Sequence, residues 1–274
     1  MDEETIYQYR KELQNLGYSK TVTSSYPRQV RRFLEYSKKL FTEIDTEDIK
    51  IYHEHIKKVK GIKTKKTFSE TYIYSILLSI KIYFNYLERS GEIKSNPYQL
   101  TIKHPKSKER KVFTSEEIGK LYAKSSKLQA IILHLCYACG LRRTEAVELR
   151  IKDIDLENCI LYIRKGKGKK RRVIPFTKQV KRDLEDFIST ETINRQPSTD
   201  NQNLLNITGD YIYKQFKKLL KDTELNTQEF TLHCLRHTIA TQLLEQGMEL
   251  EKVRDFLGHS QLSATQIYTR ILIK

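Results

Sequence analysis

His104-Pro105-Lys106-Ser107-Lys108-Glu109-Arg110-Lys111-Val112-Phe113-Thr114-Ser115-Glu116-Glu117 is the stretch on which the organisation of the chain turns. Its first eight residues are polar, basic and without apolar periodicity, which reads as a linker. The last four look like the opening of a helix, with Thr114 and Glu117 at capping-box spacing ahead of Ile118 and Leu121. A chain of 274 residues, 38% of them hydrophobic, has the length and apolar content for two ordinary domains. We therefore expect a helical domain over residues 1–103, a linker over 104–112 and a second domain over 113–274.

Upstream of the linker the sequence reads as four helices. Ile6, Tyr9, Leu13 and Leu16 recur at helical spacing before Gly17, and Val30, Phe33, Leu34 and Tyr36 repeat the pattern. Asp45-Thr46-Glu47-Asp48 is an acidic start for a third helix reaching about Val59, and Tyr72–Leu87 is a long apolar and aromatic stretch ending near Gly91. Between these two helices lies Lys57-Lys58-Val59-Lys60-Gly61-Ile62-Lys63-Thr64-Lys65-Lys66, expected as a flexible basic loop. Lys57, Lys58, Lys60, Lys63, Lys65 and Lys66, with Lys106 and Lys108 of the linker, are candidate phosphate contacts. A merely solvated loop has the same composition.

Downstream, Leu128–Cys139 reads as a buried helix interrupted by His134, with Gly140 able to end it and Thr144 able to cap the next helix through Ala146, Val147 and Leu149. Cys159–Arg164 and Arg171–Phe176 are short strand-like runs around Lys165-Gly166-Lys167-Gly168-Lys169-Lys170, a β-hairpin signal with a basic, glycine-rich tip. From about Lys178 the chain is again mainly helical, with a polar loop near Gln196–Gln202. The expected fold is mainly α with a small β-hairpin or sheet.

Lys and Arg total 50 against 34 Asp and Glu, a formal charge of +16, which favours a polyanionic partner such as nucleic acid or an acidic membrane surface. The excess is even: 22 basic against 14 acidic residues in 1–110, and 28 against 20 in 111–274, so both domains can face one polyanion. No apolar run approaches the roughly 20 residues of a membrane span. Met1-Asp2-Glu3-Glu4 lacks the basic-then-apolar order of a signal peptide, so a cytoplasmic protein is expected. Cys136, Cys139, Cys159 and Cys234 fit that compartment as small buried hydrophobes. Cys136 and Cys139 form a CxxC on a helical stretch with no second pair, so no zinc site is expected.

Three elements of the second domain carry chemistry together. In Gly140-Leu141-Arg142-Arg143-Thr144-Glu145 the junction can present Arg142 to two phosphate oxygens, with Glu145 nearby to orient it. His233-Cys234-Leu235-Arg236-His237 opens a helix on which His233 and Arg236 share a face, pairing a proton carrier with a fixed positive charge; spacing does not choose between His233 and His237. Phe256-Leu257-Gly258-His259-Ser260 is followed by Thr265-Gln266-Ile267-Tyr268-Thr269-Arg270. Taken singly, each has an ordinary structural explanation: a surface arginine, core histidines, a packing tyrosine.

In this order, with a Gly-Lys-Gly hairpin after the first arginine, these elements resemble the tyrosine recombinases, or phage-type integrases, and most closely the simpler Xer-like members. The resemblance covers the second domain, and the helical first domain is similar to the family's core-binding domain in size and position. It implies a site-specific recombinase that cuts and rejoins duplex DNA through a 3′-phosphotyrosine link. Arg142 and Arg236 would hold the non-bridging oxygens and Lys167 would protonate the leaving 5′ oxygen. His233 would assist proton transfer, His259 would bond the phosphate, Glu145 would support Arg142, and Tyr268 would be the nucleophile. Lys165, Lys169 and Lys170 flank Lys167, so its assignment rests on the Gly-Lys-Gly match.

Two arginines supply the neutralisation that a metal provides elsewhere, so neither metal nor other cofactor is expected, and the retained tyrosyl bond makes ATP unnecessary. The family assembles four like or related subunits on two DNA sites, often coupled by a tail after the tyrosine. Only six residues follow Tyr268 here, so coupling through other surfaces is expected, and nothing before the first domain suggests an arm-site-binding module. Arg143 stands where many relatives carry an apolar residue. A type IB topoisomerase shares the chemistry, but the chain's small size and motif wording count against it. An inactive DNA-binding protein would not need the complete set of chemical residue types.

Overall fold

A computed structural model of the chain describes residues 3–61, 65–105, 111–164, 171–194 and 202–258. It divides into two compact units, Met1–Lys108 and Glu109–Lys274.

The first unit is four helices, α1 (Glu3–Asn15), α2 (Lys20–Ser37), α3 (Thr46–Lys58) and α4 (Glu70–Arg89). Their starts are set by side chains that accept from otherwise unpaired backbone N–H groups: Ser19 for α2, Ser69 for α4, and Asp45 for α3, where Asp48 reciprocates at 3.0 Å. One face of α4 supplies Leu77, Ile80, Tyr83, Phe84 and Leu87, all fully buried. Tyr9 of α1 meets Tyr83 edge-on at 5.2 Å, and Phe33 of α2 meets Phe84 at 6.3 Å.

Helical periodicity thus predicts the core faces of α1 and α2, with two exceptions. Leu16 falls past the end of α1 and is exposed, and Tyr36 is exposed on α2, where it stacks on His55 at 4.3 Å. The ends of the basic stretch after α3 are closed on each other: Lys60 bridges Thr67, Gly61 N–H donates to Lys66 O at 2.9 Å, and Lys65 N–H to Gly61 O at 2.8 Å. Beyond α4 the chain stays on this unit through buried Tyr98 to His104, whose ring meets Tyr74 at 4.9 Å.

The second unit opens with α5 (Ser115–Lys124), and both halves of the Thr114–Glu117 capping box form, at 3.1 and 2.8 Å. α6 (Lys127–Leu133) does not continue as one helix to Cys139 as expected; it widens into a π-helical turn over His134–Ala138. α7 (Arg143–Glu148) begins one residue before the expected cap. Arg142 stands at the N-cap position and Thr144 inside the helix, because the Glu145 carboxylate accepts the Arg142 N–H at 2.8 Å.

The hairpin is two strands of a three-stranded antiparallel sheet ordered β1 (Ile154–Asp155), β2 (Ile160–Ile163) and β3 (Arg172–Pro175). In its register Leu161 faces Ile174 and Ile163 faces Arg172. Leu161, Ile163 and Ile174 point into the core, while Tyr162 and Val173 are exposed. Cys136, Cys139 and Cys234 are buried as expected, but Cys159 is only half-buried, because it makes the turn into β2 with a left-handed φ of 57°. Helices α8 (Lys178–Asn194), α9 (Gly209–Asp222), α10 (Leu232–Glu245) and α11 (Leu250–Leu257) complete the unit. Among the described residues no helix is long and apolar enough to cross a membrane.

Candidate active site

The C-terminal end of α11 gathers the site. A helix ends in carbonyls with no partner within the helix and with a partial negative charge, so it attracts cations. Three successive carbonyls at this end are each met by a different arginine. Phe256 O accepts from Arg172 Nε at 3.0 Å, Leu257 O from Arg236 Nη2, and Gly258 O from Arg142 Nη2 at 3.1 Å. These arginines come from β3, from α10 and from the cap of α7, so one helix end draws three distant parts of the sequence together.

Glycine is required twice for that approach. Gly258 ends α11 with φ +64°, and a Cβ on it would lie 2.9 Å from Arg172 Cδ. Gly140 has φ +59°, and a Cβ there would lie 3.1 Å from Leu257 Cδ2. Its carbonyl accepts from Arg236 Nη1, which links the exit of the π-helical turn to α10.

Glu145 lies among the three guanidinium groups. Its Oε1 accepts from Arg142 Nη1 at 2.7 Å and Arg172 Nη1 at 3.1 Å, its Oε2 from Arg142 N and Arg172 Nη2, both at 2.8 Å, and Arg236 Nη1 is 4.0 Å away. Burial alone pushes the Glu145 carboxyl up, but the Arg172 hydrogen bonds and charge, followed by those from Arg142, outweigh it and hold the group at about 2. The carboxylate is therefore ionised at neutral pH. The side chains of Glu145, Arg236 and Arg172 are 2%, 4% and 7% exposed, whereas Arg142 retains 18%, so Arg142 is the arginine of the three that most reaches solvent. Three guanidinium groups against one carboxylate leave a surplus of positive charge in a mostly desolvated place, where an anion is attracted more strongly than in water.

Arg142, Glu145 and Arg236 are thus brought together. His233, near the start of α10, is exposed, and its ring centre lies 6.4 Å from that of half-buried His237. Lys167, His259 and Tyr268 lie outside the described residues, as do Lys63, Lys106 and Lys108. Lys57, Lys58, Lys60, Lys65 and Lys66 are exposed on the first unit, and Lys57 is paired with Glu54 at 2.6 Å.

Arg172 is the site residue that sequence reasoning misses, hidden in the run Lys169-Lys170-Arg171-Arg172. Strand alternation was the available signal, since it puts Arg172 on the face of buried Ile174. Arg143 also finds a place: it lies over Gly209 at the start of α9 and approaches Asp210 at 3.4 Å. His134, in the π-helical turn, bonds Asp183 at 2.7 Å and the Tyr122 hydroxyl at 3.0 Å. Burial lowers its pKa against the opposing pull of Asp183. Burial also pushes the Cys136 and Cys139 thiols up to about 12, so they are protonated and poorly suited to bind a metal.

Comparison with known proteins agrees with this geometry. The phage integrase family matches residues 111–273. A tyrosine recombinase of Pseudothermotoga lettingae is 31% identical over 265 residues, covering 90% of this chain and 86% of its own. Tyrosine recombinase XerC of Listeria innocua is 30% identical over 275 residues, covering 93% and 88%. In three dimensions the chain is similar to the XerH site-specific recombinase bound to a palindromic difH substrate in a post-cleavage complex, with a TM-score of 0.70, 23% identity and coverage of 96% and 79%. On the sequence match and the arginine cluster together, the chain belongs to the phage integrase family, as a Xer-like tyrosine recombinase.

Proposed function

We infer that this chain is a site-specific recombinase that breaks and rejoins duplex DNA through a 3′-phosphotyrosine intermediate. The observation that carries this reading is the cluster of three arginines around one carboxylate at the end of α11, a surplus of fixed positive charge that suits a phosphodiester. Arg142 and Arg236 neutralise the two non-bridging oxygens, most strongly as charge builds in the transition state. A phenol with a pKa of about 10 attacks poorly until its proton is withdrawn and the phosphate's charge is offset. Tyr268 is the nucleophile, His233 assists in taking its proton, His259 donates a hydrogen bond to the phosphate, and Lys167 protonates the departing 5′ oxygen.

The tyrosyl ester conserves the energy of the broken bond, so a 5′ hydroxyl from a partner duplex reseals it without ATP, and the arginines perform the charge neutralisation a metal would. The first unit, with the lysines after α3, binds the same duplex as a core-binding domain over about residues 1–103. A linker over 104–112 passes along it to the catalytic domain, 113–274. The active form is a tetramer of like or related subunits on two sites, acting on cytoplasmic DNA.

The test is a duplex nicked so that the cleaved 5′ hydroxyl diffuses away, its sequence obtained by selecting covalent adducts from a random-sequence pool. The wild-type chain accumulates an adduct, Tyr268→Phe forms none, and paired intact sites yield joined products. Failure to trap an adduct from any pool would overturn the reading, and relaxation of supercoils without joining would make the chain a topoisomerase.

A further inference from the structure

We propose that Arg172 is a positioning residue for cleavage: it clamps Glu145 and the end of α11 at once, and so sets the plane in which Arg142 meets the scissile phosphate. The proposal rests on the recombinase reading above and adds a residue to it.

The Glu145 carboxylate is shared equally. Each of its oxygens takes one hydrogen bond from Arg142 and one from Arg172, so Arg172 supplies half of what fixes its orientation. Arg142 in turn is aimed by Glu145 at Nη1 and by Gly258 O at Nη2. Without Arg172, the buried carboxylate would keep two hydrogen bonds from Arg142 and the 4.0 Å ion pair with Arg236, and would be held less firmly about its side chain, loosening Arg142 with it. Arg172 itself is 7% exposed, and Nε, Nη1 and Nη2 all donate to groups of the protein. Its guanidinium, unlike that of Arg142 or Arg236, bonds both oxygens of Glu145, so its part in the reaction is placed on that carboxylate. The planar fork matters as much as the charge, because a lysine could not bond both carboxylate oxygens and the Phe256 carbonyl in one plane.

Place in the chain makes Arg172 a tie as well as a brace. It opens β3, opposite Ile163 of β2, five residues after Lys167. Its Nε holds Phe256 O, three residues before His259. The strand that follows the proposed general acid in sequence and the helix that precedes the proposed phosphate-binding histidine are thus both fastened to the carboxylate that aims Arg142.

The test uses the full chain and the nicked duplex in single-turnover cleavage, with Arg172→Met and Arg172→Lys. A displacement of reacting groups by about 1 Å costs on the order of 10²-fold in rate, so Arg172→Met is expected to cleave about 10²-fold more slowly with DNA affinity within a few-fold of wild type, and Arg172→Lys to recover little of the loss. Two readouts separate positioning from simple support of the fold. A methylphosphonate at the scissile position is neutral and leaves Arg142 no charge to offset. On it, Arg172→Met should come within a few-fold of wild type. In a cycle with Glu145→Gln, the double variant should be no slower than the worse single variant.

A defect of undiminished size on the methylphosphonate, or additive losses in the cycle, would overturn the proposal. Carbon-13 NMR titration of the Glu145 carboxyl tests the clamp without any cleavage. It should move up toward the ordinary carboxylate range in Arg172→Lys or Arg172→Met, whichever folds, and an unchanged titration counts against the clamp. If the wild-type chain cleaves no duplex, the recombinase reading falls while this titration still decides whether Arg172 holds Glu145.

Discussion

The two units are stabilised from different materials. Among the described residues, the first buries Tyr9, Phe33, Tyr83 and Phe84 at full depth, and its fully buried polar residues are uncharged: Thr23, Gln29 and Ser79. The second buries Glu145, Asp153 and Arg236, with the Arg172 side chain nearly as deep. Desolvating ions costs several kcal/mol each and is recovered only when their partners are well placed, so a buried ion cluster is a weak way to stabilise a fold. The first unit is built like a scaffold. The second accepts that cost so that fixed charges await an anion with little left to reorganise.

That contrast can be broken from either side. The largest expected effect is in the aromatic core: Phe84→Ala should lower unfolding free energy by about 3–5 kcal/mol, read by urea denaturation, because the ring is wholly buried against Phe33 and Tyr83. A loss below 1 kcal/mol would mean that the first unit is not held by this core.

Acid should distinguish the units next. Glu145 is held at about 2 against an ordinary 4.5, so its stabilising contribution is complete above 4.5 and disappears as pH falls through 2. The shift corresponds to about 3 kcal/mol, so hydrogen exchange between pH 4.5 and 2 should speed up around α7 and β3 before α4. Simultaneous opening of both regions would remove the distinction. The smallest effect is at the helix end. Gly258→Ala should cost about 1–2 kcal/mol for its left-handed φ, and by pressing on Arg172 it should slow cleavage more than it lowers Tm.

Legibility in the sequence follows the same division. Periodicity marks α1 and α2, an acidic start marks α3 and a long apolar stretch marks α4, and periodicity misplaces Leu16 and Tyr36, which lie past the covered surface. In the second unit, capping chemistry marks the start of α5 and motif order marks Arg142, Glu145 and Arg236. Strand β1 is two residues long, too short to show a period, and it went unseen. Arg172 was concealed by composition, since one buried arginine in a basic run cannot be told from its solvated neighbours until the strand's inward face is known. The start of α7 lies one residue before the expected cap because the Glu145 carboxylate, three residues on, accepts the Arg142 N–H, and not because of a hydroxyl cap.

The π-helical turn at His134–Ala138 holds one residue more than an α-helical path over the same rise would need. In an α-helix each residue advances the chain by about 100° around the axis, so that extra residue sets the direction in which Gly140-Leu141-Arg142 leaves the helix. Removing it would leave the composition of the core almost unchanged while swinging the exit by more than a quarter turn. In this segment a change of length would therefore do more harm than a change of residue, and the bearing of Arg142 is written in the count of residues ahead of it.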